Sequence, residues 1–267
     1  MSKIKILFFG DIFGKIGRQG IIKILPNLKK KYQPDFIVAN VENLAHGRGI
    51  TKNCLQEMLD AGINFFTSGN HVWDKPDAYD ILAQKDAPII RPANYPEETV
   101  GQGEKIVKIG SNSLLMINLM GTVFFTESFS NPFLAMDEIL AKYATEKLAG
   151  IILDFHAEAT SEKVALGYYL DGRISAVIGT HTHVQTADEK ILAQGTAYIT
   201  DLGMSGAKES IIGLAKKEII DSFIKGTGLA AEIPETGICQ INAIYLEIDP
   251  KTQKALKIER IFTEVEV

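Results

Sequence analysis

Short apolar runs recur along the chain, each closed by a polar loop that carries glycine: Ile4–Phe9 before Gly10-Asp11, Phe36–Ala39 before Glu42-Asn43, and Ile63–Thr67 before Gly69-Asn70-His71. Apolar stretches of this length bounded by turn signals read as buried strands. Between them, helical spacing predicts helices over Gly17–Lys31 and Thr51–Ala61, the second opened by a threonine cap and stopped before Gly62. The opening is therefore a strand–helix–strand–helix–strand series.

The middle of the chain changes character. Lys105–Ile109 and Leu114–Leu119, separated by Gly110-Ser111-Asn112-Ser113, predict an antiparallel hairpin at which parallel winding stops. A helix is predicted over Asn131–Leu148. Strand-and-loop units then resume at Ile151–Phe155 with His156, at Ser175–Gly179 with His181 and His183, and at Thr196–Thr200 with Asp201. Ile241–Ile248 and Ala255–Phe262, parted by Asp249-Pro250, predict a closing hairpin. No internal repeat, low-complexity tract or Pro/Gly/Ser linker marks a boundary, so one domain over residues 1–267 is expected. Its class is α/β, a sandwich of mixed sheets with helices.

Composition narrows the function. With 46% hydrophobic and 23% charged residues in 267, the chain has the balance of an ordinary globular protein. A formal net charge of -5 argues against a duplex nucleic acid coat, which depends on neutralising phosphates. Cys54 and Cys239 form no C-x-x-C pair, so neither a disulfide framework nor a thiolate metal site is signalled, and a reducing cytoplasm is the expected setting. No stretch approaches the roughly 20 apolar residues of a membrane span, so no membrane partner is expected.

The histidines carry the chemical signal. All five, His46, His71, His156, His181 and His183, follow predicted strands, and the same loops hold Asp11, Glu42, Asn43 and Asn70. Ligand sites in open α/β sheets gather beyond the carboxyl ends of strands, so these loops can converge. Taken singly, each residue reads more readily as a helix cap or a solvated turn. Together, imidazole and oxygen donors without thiolates suit Mn, Fe or Zn. In His181-Thr182-His183, residues two apart in extended chain project to one side and can reach two metals of a close pair. Gly10-Asp11-Ile12-Phe13-Gly14 lacks the G-x-G-x-x-G and G-K-[ST] patterns of phosphate loops, so Asp11 points to a metal first.

The order Gly10-Asp11, Glu42-Asn43, Gly69-Asn70-His71, His156 and Gly179-Thr180-His181-Thr182-His183 resembles the calcineurin-like metallophosphoesterase superfamily. Where that superfamily has Asp in a G-D-x-x-D-R block, this chain has Glu42 within Val41-Glu42-Asn43-Leu44-Ala45-His46-Gly47. That variant, with residues 154–160 (DFHAEAT) and 200–206 (TDLGMSG), resembles the YmdB-like phosphodiesterase subfamily. The resemblance implies a sandwich of two mixed β-sheets flanked by α-helices, and two divalent ions, Fe, Mn or Zn. One ion would be held by Asp11, Glu42, Asn43 and His183, the other by Glu42, Asn70, His156 and His181. It further implies hydrolysis of phosphodiesters, 2′,3′-cyclic nucleotides above all, by a water shared between the metals, with His71 as general acid. Two acidic ligands against two divalent cations leave about two positive charges to attract a phosphodiester anion. His46 and Arg48 are candidate substrate contacts, and Asp201 a residue that orients a metal-bound histidine. The rival reading is a metal-dependent protein that binds a nucleotide or a partner and turns over little. Self-association stays open on the sequence.

Overall fold

Uninterrupted apolar runs imply strands covered on both faces. The computed structural model, which describes residues 3–228 and 231–267, arranges them in two sheets. From the amino end, β1 (Ile4–Phe9) and the short β2 (Asp11–Ile12) lead into α1 (Gly14–Tyr32), β3 (Phe36–Asn40), α2 (Lys52–Ala61), β4 (Phe65–Thr67) and α3 (Asp77–Leu82). The middle comprises β5 (Glu104–Ile109), β6 (Asn112–Met120), α4 (Pro132–Lys142), β7 (Gly150–His156), α5 (Thr160–Tyr169) and β8 (Ala176–Thr180). The last part contains β9 (Lys190–Ile191), β10 (Ala197–Ile199), β11 (Met204–Ala207), α6 (Lys216–Lys225), β12 (Ile238–Ile248) and β13 (Ala255–Glu266).

One sheet runs β2-β11-β12-β1-β3-β4 with β13 paired to β12; the other runs β5-β6-β7-β8-β10-β9. Alternate residues of each strand settle the layering. Ile4, Ile6 and Phe8 of β1 meet Met116, Ile152 and Ile178 of the other sheet in a shared core. Their neighbours Leu7 and Phe9 face the helices, packing with Ile16 and Leu25 of α1 and Met58 of α2. Leu153 and Phe155 of β7 do the same with Met136 of α4 and Leu166 of α5. The result is a four-layer α/β/β/α sandwich. Each such apolar side chain contributes roughly 1.5–3 kcal/mol by leaving water. Among the described residues no helix is long and apolar enough to cross a membrane.

Several expectations shift in detail. The α2 cap is as expected, with Thr51 Oγ1 accepting from Cys54 N and Gly62 in left-handed backbone at φ 100°. The hairpin in the middle does not end parallel winding: β5 pairs antiparallel with β6, but β6 pairs parallel with β7. Reversed strands occur at the two rims of this sheet, β5 and the short β9, and the half-exposed side chains of β5 show why it could be added there. The helix expected to Leu148 ends at Lys142, and the third strand starts at Phe65 rather than Ile63. Strands β2, β9 and β11 and helices α3, α5 and α6 have sequences too short or too mixed in pattern to be read from the chain alone.

What positions the site is the shared polarity of the two sheets. Strands β1, β3 and β4 are parallel, as are β6, β7, β8 and β10, and the carboxyl ends of the two sets meet. Asp154 on β7 is the joint. Its carboxylate accepts from Asn40 Nδ2 at the end of β3 (3.0 Å), from Thr67 Oγ1 at the end of β4, and from Thr180 Oγ1 at the end of β8 (2.7 Å).

Candidate metal centre

Just beyond this joint, two groups of donors converge. Glu42, His156 and His181 form one, Asp11, Glu42 and His183 the other, and within each the potential ligand atoms lie within 4.8 Å of one another. Glu42 belongs to both. Asp11, Glu42 and His156 are fully buried, and His183 nearly so.

In the first group His156 is carried by a strand, and Glu42 and His181 by the loops that follow β3 and β8. His156, the last residue of β7, places Nε2 3.0 Å from Glu42 Oε2 and 3.0 Å from His181 Nδ1. Its Nδ1 donates to Thr180 Oγ1 at 2.8 Å, and that hydroxyl donates onward to Asp154. The ring is therefore oriented through Thr180 by a carboxylate, a common support for a ligating imidazole. Asn70 lies alongside at the start of a 3₁₀ turn (Asn70–Asp74), and its buried Oδ1 has no hydrogen-bond partner. Gly69 is required here on steric grounds, because a Cβ would fall on Glu42 Oε2 and the His156 ring.

In the second group Asp11 lies on the short β2, and Glu42 and His183 lie in loops. His183 Nε2 lies 3.0 Å from Asn43 Nδ2 and 3.9 Å from Asp11 Oδ1, while its Nδ1 donates to the carbonyl of Ile212 at 2.9 Å. Asn43 Nδ2 also donates to Glu42 Oε1 at 2.9 Å. A half-turn of that amide would present its oxygen at the same place. Asp11 Oδ1 is buried without a partner.

Electrostatics fit cations at both places. Burial outweighs the nearby imidazoles at Asp11 and raises it to about 6. At Glu42 burial also pushes upward, but His156, by charge and hydrogen bond, reverses it and holds the carboxyl well below its usual range. Burial disfavours the His156 imidazolium, yet Glu42, Asp11 and Asp154 raise it to about 9. Burial and repulsion from His156 lower His181 to about 3, so its imidazole is neutral and keeps one nitrogen as an acceptor. Orphaned Asp11 and Asn70 oxygens, two acids and three imidazoles are the donor set of hard-to-borderline divalent ions, and the residues present fit them.

The sequence-predicted residues all gather here, with two changes of detail. His181 and His183 do reach different groups, but not through extended chain: their φ values are 104° and 65°. The loop turns back on itself at both. Asp201 touches neither imidazole. It accepts from Thr182 N (3.0 Å) and Gly203 N (2.7 Å) and pairs with buried Lys163 at 2.6 Å, while Lys163 Nζ also donates to the Thr180 carbonyl at 2.8 Å. It positions the backbone between the histidines rather than a ring. Sequence reasoning misses Asp154, Thr180, Lys163 and Glu158, whose carboxylate lies 3.1 Å from His181 Nε2. The acids at 154 and 158 flank His156 with its own side-chain alternation, which is the signal that could have found them. Lys163 reads as an ordinary helix residue.

His71 stands beside the centre with its backbone N–H 3.3 Å from Glu42 Oε2 and its Nδ1 3.1 Å from Asp74 Oδ2. It lines, with Glu42, Asn43, His181 and His183, a cavity of about 550 Å³ whose far rim carries His46 and Arg48. A larger hollow of about 910 Å³ around Arg91, Asn94 and Glu104 contains none of the candidate residues.

Comparison with known proteins agrees with this geometry. A family model described as YmdB-like protein matches residues 7–261. A 2′,3′-cyclic-nucleotide 2′-phosphodiesterase of Bacillus subtilis (strain 168) is 46% identical over 259 residues, spanning 97% of this chain and 96% of its own length. Among solved structures, a novel phosphatase from Mycoplasma pneumoniae superposes with a TM-score of 0.92 at 36% identity, over 100% of this chain and 95% of that one. A hypothetical protein from Thermus thermophilus gives 0.90 at 36% identity, over 99% and 100%. By its motifs, its two mixed sheets of metallophosphoesterase type and this family match, the chain belongs to the YmdB-like protein family.

Proposed function

We propose that this chain is a metal-dependent phosphodiesterase of small nucleotides, 2′,3′-cyclic nucleotides foremost, working through two divalent ions joined at Glu42. The observation that carries the reading is the pair of donor groups sharing one buried carboxylate, with an unligated histidine beside them. The name of the Bacillus subtilis relative supports the substrate class. Asp11, Asn43 and His183 would hold one ion, Asn70, His156 and His181 the other, and Glu42 both. Ions there would supply Lewis-acid charge toward phosphoryl oxygens and acidify a water toward neutral pH.

The chain's own groups do the rest. Thr180 and Asp154 keep His156 Nδ1 protonated, which leaves Nε2 as the donor atom. Glu158 does the corresponding work at His181 by taking Nε2–H, so that Nδ1 faces the centre. Asp74 engages Nδ1 of His71, so Nε2 is the nitrogen that can hold a proton toward a departing alkoxide. His46 and Arg48 sit where the remainder of a substrate would emerge.

Metal analysis of the purified protein with a hydrolysis screen of mono-, di- and cyclic phosphoesters tests the reading. Two metal equivalents and chelator-sensitive cleavage that favours cyclic diesters are expected. One equivalent under metal-replete conditions, or a preference for monoesters, would overturn it. Tight nucleotide binding without turnover would favour a regulatory role.

A further inference from the structure

The cavity has two chemically different ends. Beyond the polar donors its wall is apolar: Phe13, Ile212, Leu214, Ala231 and Ile233. Phe13 joins the ends, its ring edge-on to His183 at 5.3 Å between centroids. Gly47 closes the other side. With φ at 77°, it lies so close that a Cβ would meet Ile233 Cδ1 at 2.5 Å and Phe13 Cζ at 2.9 Å. Its two neighbours, His46 and Arg48, line the same rim, and Arg48 has no ion pair among the described residues. The loop that presents them is tied back to its own start, Gly49 N donating to the Glu42 carbonyl at 2.5 Å. An apolar slot of this size with a few fixed polar groups is the usual form of a small-molecule site.

Ile212 is the residue that ordinary folding needs cannot explain. Ile211 and Leu214 exchange backbone hydrogen bonds at 2.8 and 3.0 Å, so Ile212-Gly213 is a two-residue hairpin tip. Both tip residues have positive φ, 47° and 105°. Such a turn favours Asn-Gly, and a β-branched residue at its first position is an outlier. Burial does not compensate, because Ile212 is 50% exposed. Its carbonyl is the acceptor for His183 Nδ1, and its side chain lines the cavity. Strain retained beside a site points to a role in that site.

We propose that Phe13, Ile212, Leu214 and Ile233 form the nucleobase subsite, with Ile212 as a specificity-determining residue at its edge. The inference rests on the phosphodiesterase reading for its substrate, and the occupant follows from continuity: with a phosphodiester at the polar end, the nucleoside extends along the apolar wall. Arg48 and His46 then face the sugar edge.

The test uses Ile212→Asn, the substitution the turn itself favours, and Ile233→Ser on a separate segment. Two quantities are read: the ratio of kcat/KM on a 2′,3′-cyclic nucleotide to that on bis(4-nitrophenyl) phosphate, which has no base, and calorimetric affinity of the metal-loaded protein for adenosine 3′-monophosphate. Each variant should lower the ratio and the affinity about tenfold, the loss of roughly one methylene-scale contact or two. Ile212→Asn should also raise Tm by about 2–4 °C, because relieving the turn stabilises a chain of this size by about that much. An unchanged ratio and affinity in both variants would overturn the subsite. So would a fall in Tm for Ile212→Asn with both specificity readouts unmoved, which would make Ile212 a packing residue. If the unaltered protein cleaved no phosphodiester at all, the phosphodiesterase reading would fail, while the calorimetric arm would still decide the slot.

Discussion

The two halves of the centre are built differently. His156 ends a fully buried strand, and its ring is held through Thr180 by an aspartate that ties four strand ends together. His183 sits on a loop with left-handed backbone, held by a carbonyl from a hairpin tip and by the buried Lys163–Asp201 pair one residue away. His156 draws its geometry from the sheets, which cannot move without losing core. His183 draws it from polar contacts between loops.

Glu42 is where the halves meet, so its loss should have the largest effect. Glu42→Ala should empty both places and reduce turnover by at least about 10³-fold, some 4 kcal/mol of barrier. Metal analysis beside kinetics reads this directly; retention of one full equivalent would mean that the halves do not share the carboxylate. His71→Ala should keep both ions yet lose about 10²–10⁴-fold in kcat on a nucleotide, the usual contribution of a general acid. On a nitrophenyl ester, whose leaving group is stable unprotonated, the loss should be much smaller. Equal losses on both substrates would assign His71 to phosphate positioning.

The next pair of variants separates strand from loop. Asp154→Ala strands buried donors of Asn40, Thr67 and Thr180. At about 1 kcal/mol or more for each it should cost roughly 3 kcal/mol of stability and weaken the His156 side first. Lys163→Met leaves Asp201 buried without its cation. Removing one partner of such a pair costs about 3 kcal/mol or somewhat more. Here both places should weaken, because Thr182 N, between His181 and His183, loses a firm anchor. Denaturant titration gives the stability, and metal-by-metal occupancy gives the place; a loss confined to the His156 place in both variants would mean that the loop contacts do not hold His183.

The smallest effect is a proton count. In the metal-free chain His156, raised to about 9, is charged at neutral pH, and Asp11, raised to about 6, becomes protonated only in mild acid. Ligands bind metal deprotonated, so loading should release about one proton from His156 near pH 7.5, and the count should grow as pH falls through about 6 and Asp11 takes up its proton. Affinity accordingly rises with pH across that window. A weakly buffered titration with an indicator measures the release, and a count independent of pH would contradict the assignment of Asp11.

What the chain decides alone is whatever repeats locally. Apolar runs such as Ile4–Phe9 and Phe36–Ala39, short and bounded by turn residues, read as strands covered on both faces, and the helices at α1 and α2 follow from spacing and a threonine cap. The donors are legible because Gly69-Asn70-His71 and His181-Thr182-His183 are dense in chemistry over few residues. The tertiary structure alone decides which donors share a point, since Asp11 and His183 are far apart in sequence and meet only because the two sheets align their carboxyl ends. Supports such as Lys163 at Asp201 and the Ile212 carbonyl at His183 are long-range contacts that no local pattern announces, and alternation around His156 points to Asp154 without giving its partners. Their physical reason is the same in each case: a buried polar group must find a partner, and only the folded chain determines which one lies within reach.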